Sequence, residues 1–512
     1  MTEIELKLQV PAEALAAVER AVATPAAVRT RLQAVYFDTP DRRLAAAGIA
    51  LRLRKEGRHW VQTLKAGPAH GMARGEHNVP LVVPAGQVPQ EADPARHAGT
   101  PPHAALSAAL APRDGEARAP ALVAQYRTDI RRLHRPLRSR DGTVELALDR
   151  GEIVARGADG VERRWPVCEL EVELLRGAPQ AVVEVARRLA LRHGLWLDVR
   201  TKAERGDRLA RGLSSGEPVP AVKAEPLRLR KDMPARDAWD AVLRNVLAQA
   251  TPNWSEIAAG SSAAEPVHQL RVALRRLRSA QRCFEGWPGV PPVPAWADAA
   301  AALFRELGRA RDAEVLRGGL QREVDAALVA LGEAPLALPA AADPPRWTDA
   351  ERTRHGAVWF DLLAELARPA APVTPAADEA VSPALPALAS QRLQAWHAQA
   401  LRDAKRFDTL SDEARHRLRK RLKRLRYTIE FTAGLFQRRA VERYLDALRE
   451  AQEHLGEFND VCVALAAYRP LVPQQPQTWF ALGWLAARRE ATLAACSRSL
   501  KRLRKARPFW PD

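Results

Sequence analysis

The sequence predicts an α+β, multidomain protein: a closed antiparallel β-barrel with flanking helices, then an all-helical, internally duplicated half. Three observations carry this. Short stretches of the first 210 or so residues alternate charged and apolar side chains, beginning with Glu3-Ile4-Glu5-Leu6-Lys7. Beyond residue 232 the alternation gives way to long Ala/Leu/Arg runs of helical period. Within that second half, motifs recur at a constant offset of 148 residues.

Successive side chains of a strand point to opposite faces. The opening stretch therefore puts Glu3, Glu5 and Lys7 on one face and Ile4 and Leu6 on the other. A barrel with a polar, ligand-filled interior and an apolar exterior under helices satisfies both faces. Five residues alone fit an edge strand with its charges in water equally well, so the later strands decide. Residues 11–23 read as a helix opened by Pro11. Residues 34–39 are β-rich, and 51–54 repeat the alternation with Arg52 and Arg54 on one face. Gly57 turns the chain into a partner strand over 59–65, and Arg74 and Glu76 alternate in the next. Residues 84–120 read as a loop with a short helix. Strands resume at 122–134, with Arg127 and Arg131 on one face, and at 144–149, ending in Asp149. Residues 168–174 carry Glu169, Glu171 and Glu173 on one face, and a helix follows at 179–193.

Rows of like charge two apart on a strand repel unless something bridges them. Carboxylates are tolerated side by side when they share a divalent cation, and all-oxygen ligands suit Mg²⁺ or Mn²⁺ rather than zinc. Converging Arg and Lys are tolerated when they grip phosphates. Together these rows describe a tunnel for a metal–polyphosphate complex.

Residues 1–213 resemble the CYTH, or triphosphate tunnel metalloenzyme, superfamily. The resemblance rests on Glu3/Glu5/Lys7 (ExExK), Arg52 and Arg54 (LRLR), Lys65, and Arg74/Glu76/Asn78. It continues through TDIR at 128–131, CELEVELL at 168–175 and TKAERG at 201–206. It implies an eight-stranded tunnel that hydrolyses inorganic triphosphate or thiamine triphosphate, or cyclises ATP. It further implies that Glu3, Glu5 and two of Glu169, Glu171 and Glu173 hold metal (two ions, Mg²⁺ or Mn²⁺), with Asp149 nearby. Lys7, Arg52, Arg54, Lys65, Arg131 and Lys202 would hold the triphosphate, with Arg74, Glu76, Arg127 and Arg205 as further substrate contacts. His134 stands where the resemblance leads one to expect a tryptophan.

Residues 214–232 form a Pro-punctuated linker to a helical region over 233–508, with repeats at about 235–368 and 390–508 joined by the Ala/Pro-rich stretch 369–389. His268-Gln269-Leu270-Arg271 recurs as His416-Arg417-Leu418-Arg419, and Arg275-Arg276-Leu277-Arg278 as Lys423-Arg424-Leu425-Arg426. Leu307-Gly308 with Asp312 recurs as Leu455-Gly456 with Asp460. On a helix His268, Arg271, Arg275 and Arg278 share an arc of about 80°. Leu270, Leu274 and Leu277 lie beside them, as do Leu418, Leu422 and Leu425 in the copy. From Arg415 to Arg426, eight of twelve residues are Lys or Arg and none is acidic. Such a run destabilises an isolated helix, which points to an external polyanion. This half resembles the CHAD domain, through VHQLRVALRRLR at 267–278, RHRLRKRLKRLRY at 415–427, LGRARDAEV at 307–315 and LGEFNDVCV at 455–463. The resemblance implies inorganic polyphosphate binding, with His268, Arg271, Arg275, Arg278, His416, Arg419, Lys423 and Arg426 as contacts.

Charge and cysteine usage agree. The formal net charge is +18, from 79 basic and 61 acidic residues, which fits a polyanionic partner. The four cysteines form no CxxC or Cys/His cluster, which argues against zinc and a disulfide framework and suits a reducing cytoplasm. There is no apolar leader at Met1 and no run long enough to span a membrane, so the expectation is a cytoplasmic protein without a membrane partner. The basic helices lack the interleaved aromatics that stack on bases, which argues against nucleic acid. The sequence-level conclusion is a metal-dependent inorganic triphosphatase with a polyphosphate-binding helical half. Its rivals are an adenylate cyclase or thiamine triphosphatase in the same tunnel, or a nonenzymatic polyphosphate-binding scaffold.

Overall fold

Alternation becomes one antiparallel sheet in the computed structural model: β1 Thr2–Gln9, β2 Val28–Asp38, β3 Ala50–Glu56, β4 His59–Ala66, β5 Ala73–Leu81, β6 Val123–Arg138, β7 Gly142–Arg156, β8 Glu162–Gly177 and β9 Trp196–Leu197. The strand order β5-β4-β3-β2-β6-β7-β8-β1 closes on itself because β1 also pairs with β5. Closure gives an eight-stranded barrel without the open edges of a flat sheet. The short β9 pairs with Leu8 and Gln9 of β1. The structure describes residues 2–511 apart from 68–71, 85, 117–119, 215–216, 218, 338–345 and 369–382; the side chains of 309–318 are also outside the description.

The apolar face of β1 explains why the barrel is inside out relative to a water-soluble core. Leu6 and Leu8 are buried on its exterior, and the charges point inward. That exterior is covered by helices α1 Leu15–Val22, α2 Arg43–Ala46, α3 Pro101–Leu110 and α4 Gln180–His193. Helix α4 buries Ala181, Val182, Val183, Val185, Ala186, Leu189 and Ala190 and packs on β1 and β8. Its end is set by Gly194, whose left-handed φ of 70° suits a residue without a side chain. Helix α5, Lys202–Ala210, packs against β6, β7 and β8, its Leu209 clustering with Leu32, Ile130 and Ile153. The Thr201 hydroxyl caps it by accepting the Glu204 N–H at 3.0 Å.

The remaining helices are α6 Ala235–Ala258, α7 Ala264–Phe284, α8 Ala297–Gly318, α9 Leu320–Ala330, α10 Asp349–Ala367, α11 Leu385–Lys405, α12 Asp412–Thr432, α13 Arg438–Tyr468 and α14 Thr478–Lys505. Two compact units result. One holds residues 1–222, 247–266 and 346–369; the other holds 223–246, 267–345 and 370–512. Segments 247–266 and 346–369, which linear order places in the helical half, thus fold with the barrel. Periodicity identifies a helix, but it does not say which apolar surface the helix covers.

In the second unit the leucine stripes are core. Leu270, Leu274 and Leu277 of α7 are fully buried. Leu418, Leu422 and Leu425 of α12 pack into one cluster with residues of α11, α13 and α14. The basic stripe of each helix is left beside its apolar one, as the heptad-like spacing requires.

Candidate functional site

A cavity of about 660 Å³ runs through the barrel. Residues of all eight barrel strands line it, among them Glu3, Glu5 and Lys7 from β1, Arg52 and Arg54 from β3, Lys65 from β4, and Arg74, Glu76 and Asn78 from β5. Asp149 of β7, Glu171 and Glu173 of β8, and Lys202 at the start of α5 complete the wall. Register explains the convergence, since Glu5 lies opposite Glu173, Lys7 opposite Glu171, and Asp149 opposite Glu169.

Acidic and basic groups interlock in this space. Lys202 Nζ donates to Asp149 Oδ2 at 2.7 Å and Glu171 Oε1 at 2.8 Å, and also to Glu169. Ligand oxygens of Asp149, Glu169 and Glu171 lie within 4.8 Å of one another, and all three residues are buried. Lys65 donates to both Glu3 oxygens, at 2.6 and 2.8 Å, and pairs with Glu76 at 3.0 Å. Lys7 donates to Glu5 at 2.6 Å. Arg205, fully buried, donates to Glu169. Glu169 is therefore reached from α5 and is not on the cavity wall.

Burial and charge divide the carboxyls. Burial, then the charge of Glu5, push Glu3 up to about 8 and Glu173 up to about 7. Burial also acts on Glu76, but Lys65 and a hydrogen bond with Glu3 outweigh it and hold Glu76 at about 2. Glu5, Glu171 and Asp149 are buried as well. Lys7 and Lys65 keep the first below the usual range; Lys202 and Arg132 do so for the other two. Burial together with Arg52 lowers Arg54 to about 10. The Nε atoms of Arg52, Arg54 and Arg74 are buried without a hydrogen-bond partner among the described residues. Three arginines lining a polar cavity suit an anion with many acceptor oxygens.

Two arginines expected at the site are elsewhere. Arg131 lies opposite Arg31 and Arg150 and is exposed on the outside of the barrel, and Arg127 pairs with Glu162 there at 3.1 Å. On β6 the inward parity belongs to Thr128, Ile130, Arg132 and His134. Arg132 takes the interior place, gripping both Asp149 oxygens at 2.7 Å and reaching Glu171. His134, standing where a tryptophan was expected, lines the cavity and contacts Glu145 at 3.1 Å.

Sequence reading also missed Tyr36, whose hydroxyl accepts from Arg52 at 2.9 Å. Its ring stacks on Tyr126 at 4.7 Å, and Tyr126 packs against Gly206 of α5. A Cβ at Gly206 would lie 2.2 Å from that ring, so glycine is needed for the contact. The alternation Ala34, Tyr36 on β2 was a usable signal, as was Glu145, Ala147, Asp149 on β7.

In the helical unit the two basic stripes approach each other. Guanidiniums of Arg271, Arg275 and Arg278 lie 5.1, 5.6 and 5.3 Å from the Phe304 ring centre. His268 is half-buried on the same helix. His416 Nδ1 is 2.8 Å from Asn459 Oδ1, and Arg426 pairs with Glu430 at 3.1 Å. Burial, then the charges of Arg419, Arg275 and Arg426, push the Lys423 ammonium down to about 6. Arg275 belongs to α7 and Lys423 to α12, so both stripes contribute to one positive surface. Gly308 and Gly456 lie against Arg271 and Arg419 in the two repeats. The side chain of Asp312 and the rest of LGRARDAEV beyond 308 are outside the described residues, as is most of the connector 369–389. No helix among the described residues is long and apolar enough to cross a membrane.

Comparison with known proteins follows the same division. Residues 1–206 match the CYTH domain and residues 241–469 the CHAD domain. An uncharacterised protein of Mycobacterium tuberculosis is 29% identical over 456 residues, covering 82% of this chain and 79% of its own. An inorganic triphosphatase of Haemophilus influenzae is 28% identical over 174 residues, which is 33% of this chain and 44% of that one. The crystal structure of the CHAD domain from the plant Ricinus communis is 30% identical, covering 55% of this chain and 96% of that one, with a TM-score of 0.41. The chain is a CYTH-domain tunnel followed by a CHAD domain.

Proposed function

We propose that the tunnel hydrolyses inorganic triphosphate to pyrophosphate and phosphate with the help of a divalent cation, and that the helical unit binds inorganic polyphosphate. The observation that carries the first half is the convergence of Arg52, Arg54, Arg74, Lys7 and Lys65 with buried carboxylates on the wall of one cavity. An anion alone would meet repulsion from the carboxylates, and a cation alone would meet repulsion from the guanidiniums and ammoniums. A cation–phosphate complex answers both.

The donor set fits a hard cation. Glu3, Glu5, Asp149, Glu169, Glu171 and Glu173 supply only carboxylate oxygens, the ligands of Mg²⁺ or Mn²⁺, and Asp149, Glu169 and Glu171 are already clustered. When bound, such an ion neutralises phosphate charge and lowers the pKa of a coordinated water. The chain's own residues do the rest. Arg52, Arg54 and Arg74 would bind phosphate oxygens, Lys7 and Lys65 would add charge between them, and Arg132 and Lys202 would offset charge on the leaving group. The proposed nucleophile is water. The Haemophilus relative's name supports the choice of substrate over thiamine triphosphate and ATP.

The second half rests on the basic stripes of α7 and α12, between which burial and then the charges of Arg419, Arg275 and Arg426 push the Lys423 ammonium down to about 6. Such a surface gains most from a ligand that returns its missing negative charge.

The test is phosphate release from tripolyphosphate, ATP and thiamine triphosphate with Mg²⁺ or Mn²⁺, using wild type and Glu5→Ala. Tripolyphosphate should be cleaved, with kcat/KM at least about 100-fold lower in the variant, the scale of losing a group that stabilises transition-state charge. Intact tripolyphosphate alongside cyclic product from ATP would overturn the substrate assignment.

A further inference from the structure

Lys202 is held by more than its carboxylate partners. It opens α5, and the chain on either side of it carries Arg200 and Arg208, both buried. One buried carboxylate reaches both of them: Glu256 lies 2.8 Å from Arg208 Nη2 and 3.9 Å from Arg200 Nη1. Glu256 belongs to α6, more than fifty residues further along the chain and inside the region that matches the CHAD domain. Its neighbours grip the same stretch. Trp254 Nε1 donates to the Leu197 carbonyl at 3.1 Å, and Ser255 Oγ accepts the Val199 N–H at 3.0 Å. On the other side Asp198 N donates to the Lys7 carbonyl at 3.0 Å, and Asp198 forms a two-pronged pair with Arg200 at 2.8 and 2.9 Å. Residues 197–208 are therefore clamped between β1 and the end of α6.

We infer that Glu256 is a positioning residue for Lys202: by bridging Arg200 and Arg208 it fixes both flanks of the residue whose ammonium joins Asp149, Glu169 and Glu171. Two buried guanidiniums flank Lys202, and each needs a counter-charge. Asp198 is ion-paired with Arg200, and Glu204, half-buried in the first turn of α5, is ion-paired with Arg208. Among the described residues, Glu256 is the carboxylate within ion-pair distance of both. Without it the guanidiniums repel across Lys202, and the first turn of α5 shifts. A shift of about 1 Å at a charged catalytic group is enough to cost on the order of 100-fold in rate. The tunnel, though it matches one family over residues 1–206, thus depends on a side chain from the sequence that matches the other.

The rate part of this inference rests on the proposed triphosphatase activity; the structural part does not, and the experiment separates them. Glu256→Gln, Lys202→Ala and the double variant are made in the full chain. Ser255→Ala is a milder companion that weakens the same clamp should Glu256→Gln fail to fold. The first readout is the rate at which an amine-acylating reagent labels Lys202, followed by mass spectrometry in the absence of any substrate. Glu256→Gln, or Ser255→Ala in its place, should speed labelling of Lys202 by about tenfold or more while leaving Lys7 and Lys65 unchanged, because only Lys202 loses its flanking support. Unchanged labelling of Lys202, or equal acceleration at all three lysines, overturns the inference whatever the activity proves to be. The second readout is kcat/KM for tripolyphosphate. Glu256→Gln should lower it about tenfold or more in wild type and less than about twofold in Lys202→Ala, since a residue acting through another has no effect once that other is gone. Equal losses in both backgrounds would show a merely structural role and overturn it. A wild type that leaves tripolyphosphate intact would overturn the proposed activity, and the labelling result would then decide the inference by itself.

Discussion

Arg131 and Arg132 are adjacent in sequence and face opposite ways. Arg132 holds Asp149 through two hydrogen bonds inside the barrel, while Arg131 stands in an exposed row with Arg31 and Arg150. Because strand side chains alternate, an error of one residue moves a candidate from the site to the surface. Arg132→Ala should therefore reduce tripolyphosphate kcat/KM about 100-fold or more, and Arg131→Ala should stay within about threefold. Comparable losses in phosphate-release assays would mean that β6 has the other register. Lys423 makes a second prediction at this scale. Its pKa of about 6 in the free protein lies well below the ordinary lysine value. Bound phosphates restore the ammonium, so from about pH 6 upward toward the ordinary value the complex holds more protons than the free protein. Polyphosphate binding should take up protons and tighten as pH falls toward 6. For folding, the unfolded chain is the more protonated state over the same window, so this group's contribution to stability grows as pH rises. Calorimetry in two buffers of different ionisation enthalpy checks the uptake; no difference between buffers would refute it.

Helix α12 shows how one element serves two purposes. Leu418, Leu422 and Leu425 are buried to 1% exposure or less, while His416, Arg419, Lys423 and Arg426 occupy the adjoining arc. Leu422→Ala should destabilise the helical unit by about 2–5 kcal/mol, the usual cost of a cavity in a packed core. The double change Arg419→Ala and Lys423→Ala should leave thermal stability near wild type, or raise it, by relieving repulsion between neighbouring cations. It should weaken polyphosphate binding and leave triphosphate turnover unchanged. Thermal melts alongside a polyphosphate-binding assay separate the two outcomes, and loss of stability in the double variant would assign the basic stripe a structural role.

At the scale of the whole molecule, domain boundaries in sequence and in space differ. Segments 247–266 and 346–369 belong to the barrel's unit, where α10 packs on α4 and Thr353 Oγ1 donates to the Leu195 carbonyl at 3.3 Å. A fragment ending at residue 213 loses these helices and uncovers apolar surface that the full chain buries. It should melt at least about 10 °C lower than the barrel in the intact protein, or aggregate, whereas a chain ending in a self-sufficient tunnel would keep the intact transition. Differential scanning calorimetry distinguishes the two.

Much of this was legible without coordinates. Period-2 alternation placed Glu3, Glu5, Lys7, Arg52 and Arg54 on common faces, because side-chain direction in a strand follows from parity. Fixed repeat spacing likewise placed the leucine and basic stripes of α7 and α12 on adjoining arcs. Parity alone could not say which face of β6 is interior; pairing with β7 decides that by setting Arg132 opposite Asp149. Nor could local pattern reveal the Tyr36–Tyr126–Gly206 contact or the reach of Glu256 to Arg200 and Arg208, since these join residues far apart in the chain. Composition and periodicity determined which charged groups the protein carries and the faces that present them. Only long-range packing decided which of those charges meet, because strand register and helix docking depend on surfaces that are distant in sequence.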